Sequence, residues 1–251
     1  MPQGERFRPG SSPPHTKDAG KTAPITKGNT MKTALVLASA TSAAALLVGA
    51  SAQAADGQAY QPEAKGTFMV DLRLSDVVPD ANDPIVTAAG GATGLRARVG
   101  DSIMPTLGFT YFLTDQISVE AILGSTRHTV TAVAADGTGT KVHSTWVLPP
   151  VVTVQYHPFP KARVSPYVGA GANLMLYFAG SDYNGFKVRL KDEFGYAFQT
   201  GFDVALQGPW SLNVDAKKVF TKTTANINDG TLYSHVNLNP WVVSVGLGRK
   251  F

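Results

Sequence analysis

Residues 194–206 read FGYAFQTGFDVAL, and their side chains alternate between two kinds. The first kind is large and apolar, and it comprises Phe194, Tyr196, Phe198, Phe202, Val204 and Leu206. The residues between them are glycine, alanine or polar. A period of two residues is that of a β-strand, because successive side chains of a strand point to opposite faces. The stretch therefore predicts a strand with one large apolar face and one small, polar face.

The same alternation recurs through the chain from Gly66 to Phe251, which predicts eight strands of about ten residues. Strands of that length span a bilayer when they are tilted. The predicted connections are short at 114–116, 157–163 and 207–209, and long and polar at 79–100, 132–140, 180–192 and 221–239. Short turns at one end and long loops at the other are typical of bacterial outer-membrane barrels. Residues 66–251 are therefore predicted to form an all-β fold, an eight-stranded antiparallel transmembrane β-barrel.

A soluble sandwich or lipocalin-like barrel is the alternative, because it also alternates, with its apolar face turned inward. Two observations favour the membrane. The apolar faces are large and aromatic, whereas the opposite faces are rich in small residues that suit a narrow interior. The chain also ends in Phe251 on an apolar face, as strands of outer-membrane barrels do.

The first 65 residues differ in character from the rest. Residues 1–30 carry no apolar period and are predicted to be disordered, or an upstream extension if translation begins at Met31. Residues 31–54 combine Lys32, an alanine-rich apolar run and a closing Ala-Gln-Ala, which predicts a signal peptide. The alternatives are a membrane anchor and, with the upstream stretch, a long processed leader. Residues 55–65 are then a periplasmic N-terminal segment.

The net charge of +4 lies entirely in this leader region, since residues 1–54 hold six basic and two acidic residues. The remaining chain holds 16 of each sign and is formally neutral. The basic balance therefore gives no support for nucleic-acid binding, and no such partner is predicted. The absence of cysteine excludes disulfides and cysteine-ligated metals.

Several segments together resemble the outer membrane protein W (OmpW) family, which includes AlkL-type proteins. They are Trp146–Pro150 with Gln155 and Tyr156, 166–173, 194–203, 210–215, 239–241 and 248–251. The resemblance implies an eight-stranded barrel in the outer membrane of a Gram-negative bacterium. It also implies a narrow apolar channel that passes small hydrophobic molecules and releases them sideways into the bilayer. The alternative that it implies is a packed structural or receptor barrel whose loops bind partners such as colicins or phage.

Apolar residues in the inward phase of the strands are candidates for lining such a channel: Met69, Met104, Ile122, Val147, Val151, Met175 and Tyr177. An eight-stranded barrel has an interior just wide enough for side chains or one small ligand. These residues therefore either line a hydrophobic path or simply fill the barrel.

Prolines within predicted strands are candidates for a lateral gate: Pro79, Pro105, Pro149 and Pro150. Proline cannot donate to a sheet ladder, so a proline inside a strand marks a missing hydrogen bond or a bulge. Each could open a gap between strands for lateral exit or only curve the barrel.

Charged residues in the inward phase are few: Asp71, Arg73, Glu120, Glu193, Asp203, Asp215 and Lys217. Buried charges must be paired or hydrogen-bonded. We interpret them as a polar plug in the periplasmic half, in preference to an ion-conducting path.

No catalytic residues, metal ligands or cofactors are predicted. His143–Ser144 and Ser234–His235 are the only neighbouring His–Ser pairs, and adjacent strand residues point to opposite faces. The other histidines of the mature chain, His128 and His157, are expected to be polar surface or lumen residues like them. The expected partners are outer-membrane lipid and lipopolysaccharide, small hydrophobic solutes, and the barrel-assembly machinery through the C-terminal strand ending in Phe251.

Overall fold

Fifteen β-strands and one 3-10 turn form most of residues 59–251, the part of the chain that this computed structural model describes. The strands are β1 (Phe68–Val78), β2 (Asn82–Thr87), β3 (Ala92–Val99), β4 (Ser102–Phe112), β5 (Ile117–Gly124), β6 (Thr126–Val133), β7 (Gly139–Leu148), β8 (Val151–Tyr156), β9 (Val164–Asp182), β10 (Val188–Leu190), β11 (Glu193–Ala205), β12 (Trp210–Phe220), β13 (Lys222–Ile227), β14 (Leu232–Asn237) and β15 (Trp241–Lys250). Among the described residues, no helix is long and apolar enough to cross a membrane. The predicted upstream extension, the signal peptide and residues 55–58 lie outside the described residues.

These strands join into eight spans, because short breaks divide most spans into two strands. The spans are β1 with β2, β3 with β4, β5 with β6, β7 with β8, β9 alone, β10 with β11, β12 with β13, and β14 with β15. Every span pairs antiparallel with the next one along the chain. The first span also pairs with the last, from Met69 opposite Lys250 to Val78 opposite Trp241, which closes the sheet. The predicted eight-stranded antiparallel barrel is confirmed.

The polarity of the barrel is inverted relative to that of a soluble protein. Large apolar side chains such as Leu72 and Phe194 are exposed at 62% and 77% on the outside, whereas Asp71 and Glu120 are fully buried inside. An apolar exterior around a polar interior suits a lipid bilayer. In water the exposed apolar side chains would cost free energy, whereas in lipid they do not. The soluble alternative is therefore excluded.

The predicted long loops are wrong in extent, because most of their residues continue the spans as strands. The actual connections at that end are short, at 88–91, 134–138, 183–187 and 228–231. The inward residues of the extended hairpins form one buried apolar cluster that includes Ile85, Val130, Val142, Ile227 and Val236. The outward residues are mostly polar, and this polarity made the hairpins look like loops in the sequence.

The two ends of the barrel differ. One end carries both described chain termini and the turns at 113–116, 157–163 and 206–209, and we call it the turn end. The other carries the four extended hairpins, and we call it the loop end. In outer-membrane barrels the short turns face the periplasm and the longer connections face the outside.

Glycine is required where neighbouring strands approach each other closely inside the lumen. A Cβ atom on Gly171 of β9 would lie 1.9 Å from the backbone oxygen of Val152 and 2.6 Å from the Cα atom of Thr153. Backbone atoms of a paired strand cannot move aside as a flexible side chain can. The position therefore admits no side chain without displacement of β8.

Gly171→Ala is expected to lower the free energy of unfolding by about 3 kcal/mol, the upper end of the usual cost of overpacking, because the contact is with backbone and forces the strands apart. Urea unfolding of the barrel in lipid vesicles would measure the loss. Gly100→Ala is the matched control, because its Cβ would meet only the Thr129 backbone oxygen at 3.8 Å. Equal stability of the two variants would contradict the close approach.

Candidate functional site

A strap formed by residues 60–67 crosses the opening of the barrel at the turn end. The backbone N–H of Gln61 donates to the carbonyl oxygen of Gly208 at 3.1 Å, and that of Glu63 donates to the carbonyl oxygen of Pro160 at 3.1 Å. The strap is thereby bonded to two of the three turns. Residues just before the first strand thus cover the lower opening.

Its C-terminal part is bonded to the remaining turn. The backbone N–H of Lys65 donates to Asp115 Oδ1 at 3.0 Å, and Lys161 Nζ lies 3.3 Å from Asp115 Oδ2. The Lys65 backbone hydrogen bond, with a smaller contribution from Lys161, lowers the pKa of the Asp115 carboxyl. Both charged side chains are exposed, so this ion pair contributes little to stability.

The side chain of Glu63 points from the strap into the lumen and is buried. Ser165 Oγ donates to Glu63 Oε2 at 2.5 Å, His157 Nδ1 lies 3.2 Å from the same oxygen, and Lys250 Nζ lies 3.6 Å from Oε1. Glu63, His157 and Asp203 offer three ligand atoms within 4.8 Å of one another, a geometry that could hold a metal ion. The bonds that Glu63 already makes account for the cluster as an internal polar network.

Above the strap, a buried ionic network fills the lumen. Arg73 Nη2 lies 2.6 Å from Glu120 Oε1 and 3.1 Å from Asp71 Oδ2. Lys217 Nζ lies 3.3 Å from Glu120 Oε2 and also contacts Asp215. These charges come from β1, β5 and β12 and are all buried. Each carboxylate has a cation beside it, as a buried charge requires.

Neutral side chains extend this network across the barrel. Gln199 Nε2 donates to Glu120 Oε2 at 3.2 Å, and the Tyr167 hydroxyl donates to Asp215 Oδ2 at 2.9 Å. Asn213 Nδ2 in turn donates to the Tyr167 oxygen at 3.0 Å. We refer to the ionic network and these side chains together as the plug.

Two apolar cavities lie between the plug and the loop end. The lower one, lined by Met104 and Val219, and the upper one, lined by Val188 and Ile227, each have a volume of about 50 Å³. Five residues line both: Val77, His128, Val147, Met175 and Pro240. The two cavities are therefore stacked along the barrel axis, and Lys217 of the plug lies at the floor of the lower one.

A gap in the sheet borders the lower cavity, and we call it the seam: residues 123–125 facing 148–150. Below it Ile122 pairs with Val151, and above it Thr126 pairs with Val147, but no ladder pairs form between. Pro150 keeps its bond on the other side, where its carbonyl accepts from the Leu174 N–H at 3.1 Å. The N–H and C=O of one strand residue point to the same side, so Pro149 faces the seam and has no N–H to donate.

The second and third spans are also incompletely paired next to the seam. Their ladder pairs end at Thr106 opposite Gly124 and resume only at Val99 opposite Val130. Three contacts bridge this interval: the Gly100 N–H donates to the Thr129 carbonyl, His128 Nδ1 bonds the Gly100 oxygen, and the Ser102 and Thr126 hydroxyls are in contact. Residues 124 and 125 thus border two weakened strand contacts.

Six of the predicted channel residues border a cavity. Met104, Ile122 and Val151 line the lower cavity, and Tyr177 lines the upper one. Val147 and Met175 line both cavities. Met69 lies elsewhere: it is buried near the turn end, where the Ser211 hydroxyl contacts its sulfur at 3.5 Å. The alternation of its strand predicts that Met69 faces inward, but it does not predict where along the barrel axis the residue lies.

The predicted gate prolines occupy different places. Pro149 and Pro150 are at the seam, and Pro149 lines the lower cavity. Pro79 falls in the break between β1 and β2 and lines the upper cavity. Pro105 lies within β4 opposite Leu74, on the exposed outer face.

Asn213 Nδ2 also donates to Asp203 Oδ1 at 2.9 Å, which joins the plug to the cluster around Glu63, and we call the two together the buried polar network. Six of the seven predicted plug residues lie in it: Asp71, Arg73, Glu120, Asp203, Asp215 and Lys217. Glu193 lies outside it, opposite Met175 at the start of β11, with Lys191 Nζ 3.5 Å from its carboxylate. The alternation of β11 placed Glu193 in the correct phase, but at the level of the upper cavity.

Sequence reasoning missed several members of the network: Glu63, His157, Tyr167, Gln199, Asn213 and Lys250. Gln199, Asn213 and Lys250 share the inward phase of their strands, so periodicity could have found them. Glu63 precedes the first strand, where no periodic pattern indicates that a side chain turns inward.

The His–Ser pairs do not form hydrolytic dyads. The Ser144 hydroxyl accepts from Arg127 Nε at 3.0 Å, and His143 Nδ1 lies 2.7 Å from Asp182 Oδ1. Ser234 donates to the backbone oxygen of Pro84 at 3.0 Å. His128, His143 and His157 are buried, whereas His235 is exposed.

A comparison with protein families matches residues 64–251 to the model described as the OmpW family. Outer membrane protein W of Vibrio cholerae is 31% identical over 201 residues, which cover 74% of this chain and 89% of that protein. The dibenzothiophene metabolism operon protein PahQ of Pseudomonas aeruginosa is 26% identical over 182 residues, covering 72% of this chain and 86% of that protein.

Among solved structures, the outer membrane protein OprG of Pseudomonas aeruginosa superposes with a TM-score of 0.72 at 26% sequence identity. The match covers 77% of this chain and 99% of the OprG chain.

Proposed function

Since the chain belongs to the OmpW family, we propose that this barrel passes small hydrophobic molecules into the outer membrane and releases them sideways through the seam. The chain is a barrel of the outer membrane of a Gram-negative bacterium, as its relatives are. Apolar solutes enter from the loop end, descend through the two cavities and leave into lipid.

One observation carries the proposal: the lower cavity has an apolar wall on the seam side and a charged floor. Ile122, Val147, Pro149 and Val151 face the seam side of this cavity, whereas Lys217 lies at its floor. An apolar solute gains by leaving water for the cavities, but loses if it must displace buried, paired charges. The seam is then the favourable exit, because lipid lies directly beyond it.

The lipopolysaccharide leaflet of the outer membrane explains why such a path is useful. Lipopolysaccharide presents sugars and phosphates that exclude apolar solutes, and the loop end of the barrel provides a way around them. The name of PahQ connects that relative with dibenzothiophene, an apolar aromatic compound. The lining of the upper cavity is almost entirely apolar, which suits a compound of this chemistry.

Ala225→Trp is expected to reduce uptake at least about tenfold, because the indole fills the upper cavity and an eight-stranded lumen has no spare width. Uptake of dibenzothiophene would be measured in cells with an intact lipopolysaccharide layer, with and without the protein. Ala172→Trp is the matched control, because it adds the same volume on the exposed outer face.

Heat-modified migration on gels would establish that both variants are folded before uptake is compared. Equal uptake in cells that contain and lack the wild-type barrel would exclude the transport function. It would leave the packed structural or receptor barrel as the better explanation. Equal uptake by the two folded variants would instead exclude the upper cavity as the route.

A further inference from the structure

The polar groups that line the upper cavity are nearly all committed to the protein backbone. The hydroxyl of Thr145 donates to the Phe178 carbonyl at 3.1 Å, and that of Thr223 donates to the Lys191 carbonyl at 2.8 Å. Ser234 likewise donates to a backbone carbonyl. None of these three residues has a hydroxyl hydrogen left to offer to a solute, and each hydroxyl oxygen is a weaker acceptor than a neutral imidazole nitrogen.

Two further polar side chains line this cavity, and they differ in access. The Tyr177 hydroxyl is enclosed by protein atoms and cannot be reached from the cavity space. His128 lines both cavities, on the strand that borders the seam, directly opposite Thr145. A solute that moves from the upper cavity to the lower one passes this imidazole ring.

The tautomer of His128 follows from its one hydrogen bond. Nδ1 lies 2.8 Å from the backbone oxygen of Gly100, and a carbonyl oxygen can only accept. Nδ1 therefore carries the proton, and in the neutral ring Nε2 is an acceptor. Within the described residues, Nε2 forms no hydrogen bond with the protein.

We propose that His128 Nε2 is an acceptor site for solutes that carry one O–H group on an apolar body, such as phenols and long-chain alcohols. This inference rests on the proposed hydrophobic path and names a preferred class of solute for it. In the low-dielectric interior of a protein, a hydrogen-bond donor gains more from an acceptor than it does at a surface. The ring thus selects among apolar solutes by their single polar group.

The test compares two probes that share the naphthyl body: 2-naphthol, which has an O–H donor, and 2-methoxynaphthalene, in which a methyl group replaces the donor hydrogen. Both are titrated into the full barrel in lipid nanodiscs, with empty nanodiscs as the blank. We expect wild-type protein to bind 2-naphthol about fivefold more tightly than the ether, the usual effect of one hydrogen bond. His128→Phe should abolish this ratio, because phenylalanine keeps the ring and removes the acceptor.

Two further variants separate hydrogen bonding from packing. His128→Gln keeps an acceptor oxygen and should retain a preference for 2-naphthol. Thr145→Val removes a hydroxyl that is already committed and should leave the ratio unchanged. An equal ratio in wild type and His128→Phe would overturn the inference, as would loss of the ratio in Thr145→Val.

The result can be distinguished from failure of the transport function. Binding of the ether to wild type without a naphthol preference leaves the path intact and overturns only the role of His128. A naphthol preference in nanodiscs without uptake by cells supports the acceptor site and excludes transport. Absence of binding by both probes excludes the acceptor site and the apolar binding path together.

Discussion

Closing the seam with a disulfide is expected to reduce uptake of apolar solutes at least about tenfold while the barrel stays folded. Continuing the register of the flanking pairs places Ser125 opposite Leu148. The adjacent pair, Thr126 opposite Val147, is intact and holds the two strands close there, and a disulfide spans Cα distances of about 4.4–6.8 Å. Ser125→Cys with Leu148→Cys would therefore join the edges through which we propose that solutes leave.

No native thiol can form a competing disulfide in this experiment, because the chain contains no cysteine. Uptake is measured for the oxidised double variant and again after treatment with a reductant, which should restore it. Val119→Cys with Val154→Cys is the matched control, since this outward-facing pair lies in an intact part of the same ladder. Its disulfide should leave uptake unchanged in both states.

Wild-type uptake by the oxidised seam variant would exclude the seam as the exit. The remaining opening would then be the neighbouring interval between the second and third spans, between Val99 and Thr106. Recovery on reduction, by contrast, could not arise from misfolding, because the reductant changes only the disulfide.

The fold could be predicted because the lipid environment makes alternation almost complete. Runs such as Phe194 to Leu206 present one face to lipid and the other to a narrow lumen, so every second residue reports its direction. The extended hairpins could not be predicted as strands, because they lie outside the lipid and their alternation is less complete. Above the membrane the outward residues meet water, and the apolar inward residues, such as Ile85 and Val236, stand among polar ones that resemble a loop.

The sequence predicts whether each residue of the site faces the lumen, but not how far along the barrel axis it lies. Periodicity states that Met69, Met175 and Glu193 face inward, but height depends on register and tilt, which no single strand encodes. Met69 therefore lies near the turn end and Glu193 beside the upper cavity. The burial of Glu63 could not be predicted from the sequence, since it depends on how the strap crosses the barrel. The tautomer of His128 was also out of reach, because it depends on one backbone oxygen of another span.

Arg73→Met is expected to lower the free energy of unfolding by about 3–5 kcal/mol, the usual loss when one partner of a buried ion pair is removed. The Arg73 guanidinium lies beside both Asp71 and Glu120, and all three side chains are at most 1% exposed. Methionine fills much of the same space, so the loss reflects the uncompensated carboxylates rather than a cavity. Urea unfolding in lipid vesicles, followed by tryptophan fluorescence, measures it.

Arg249→Met is the matched control, because Arg249 faces outward at the turn end, where its guanidinium lies 4.9 Å from the Phe251 ring centre. Its removal should cost less than about 1 kcal/mol, as for exposed cation–π contacts. A loss below about 1 kcal/mol for Arg73→Met as well would show that protons on the carboxylates, not the arginine, balance the charge of the plug.

Adding Glu120→Gln to the Arg73→Met variant tests the same explanation from the other side. If an unpaired carboxylate causes the loss, neutralising Glu120 should recover part of it, and the two changes should be far from additive. Lys217 limits the recovery, because its Nζ atom lies 3.3 Å from Glu120 and would lose its own partner there. Strictly additive losses would show that the two residues stabilise the barrel independently, which would contradict a single coupled network in the plug.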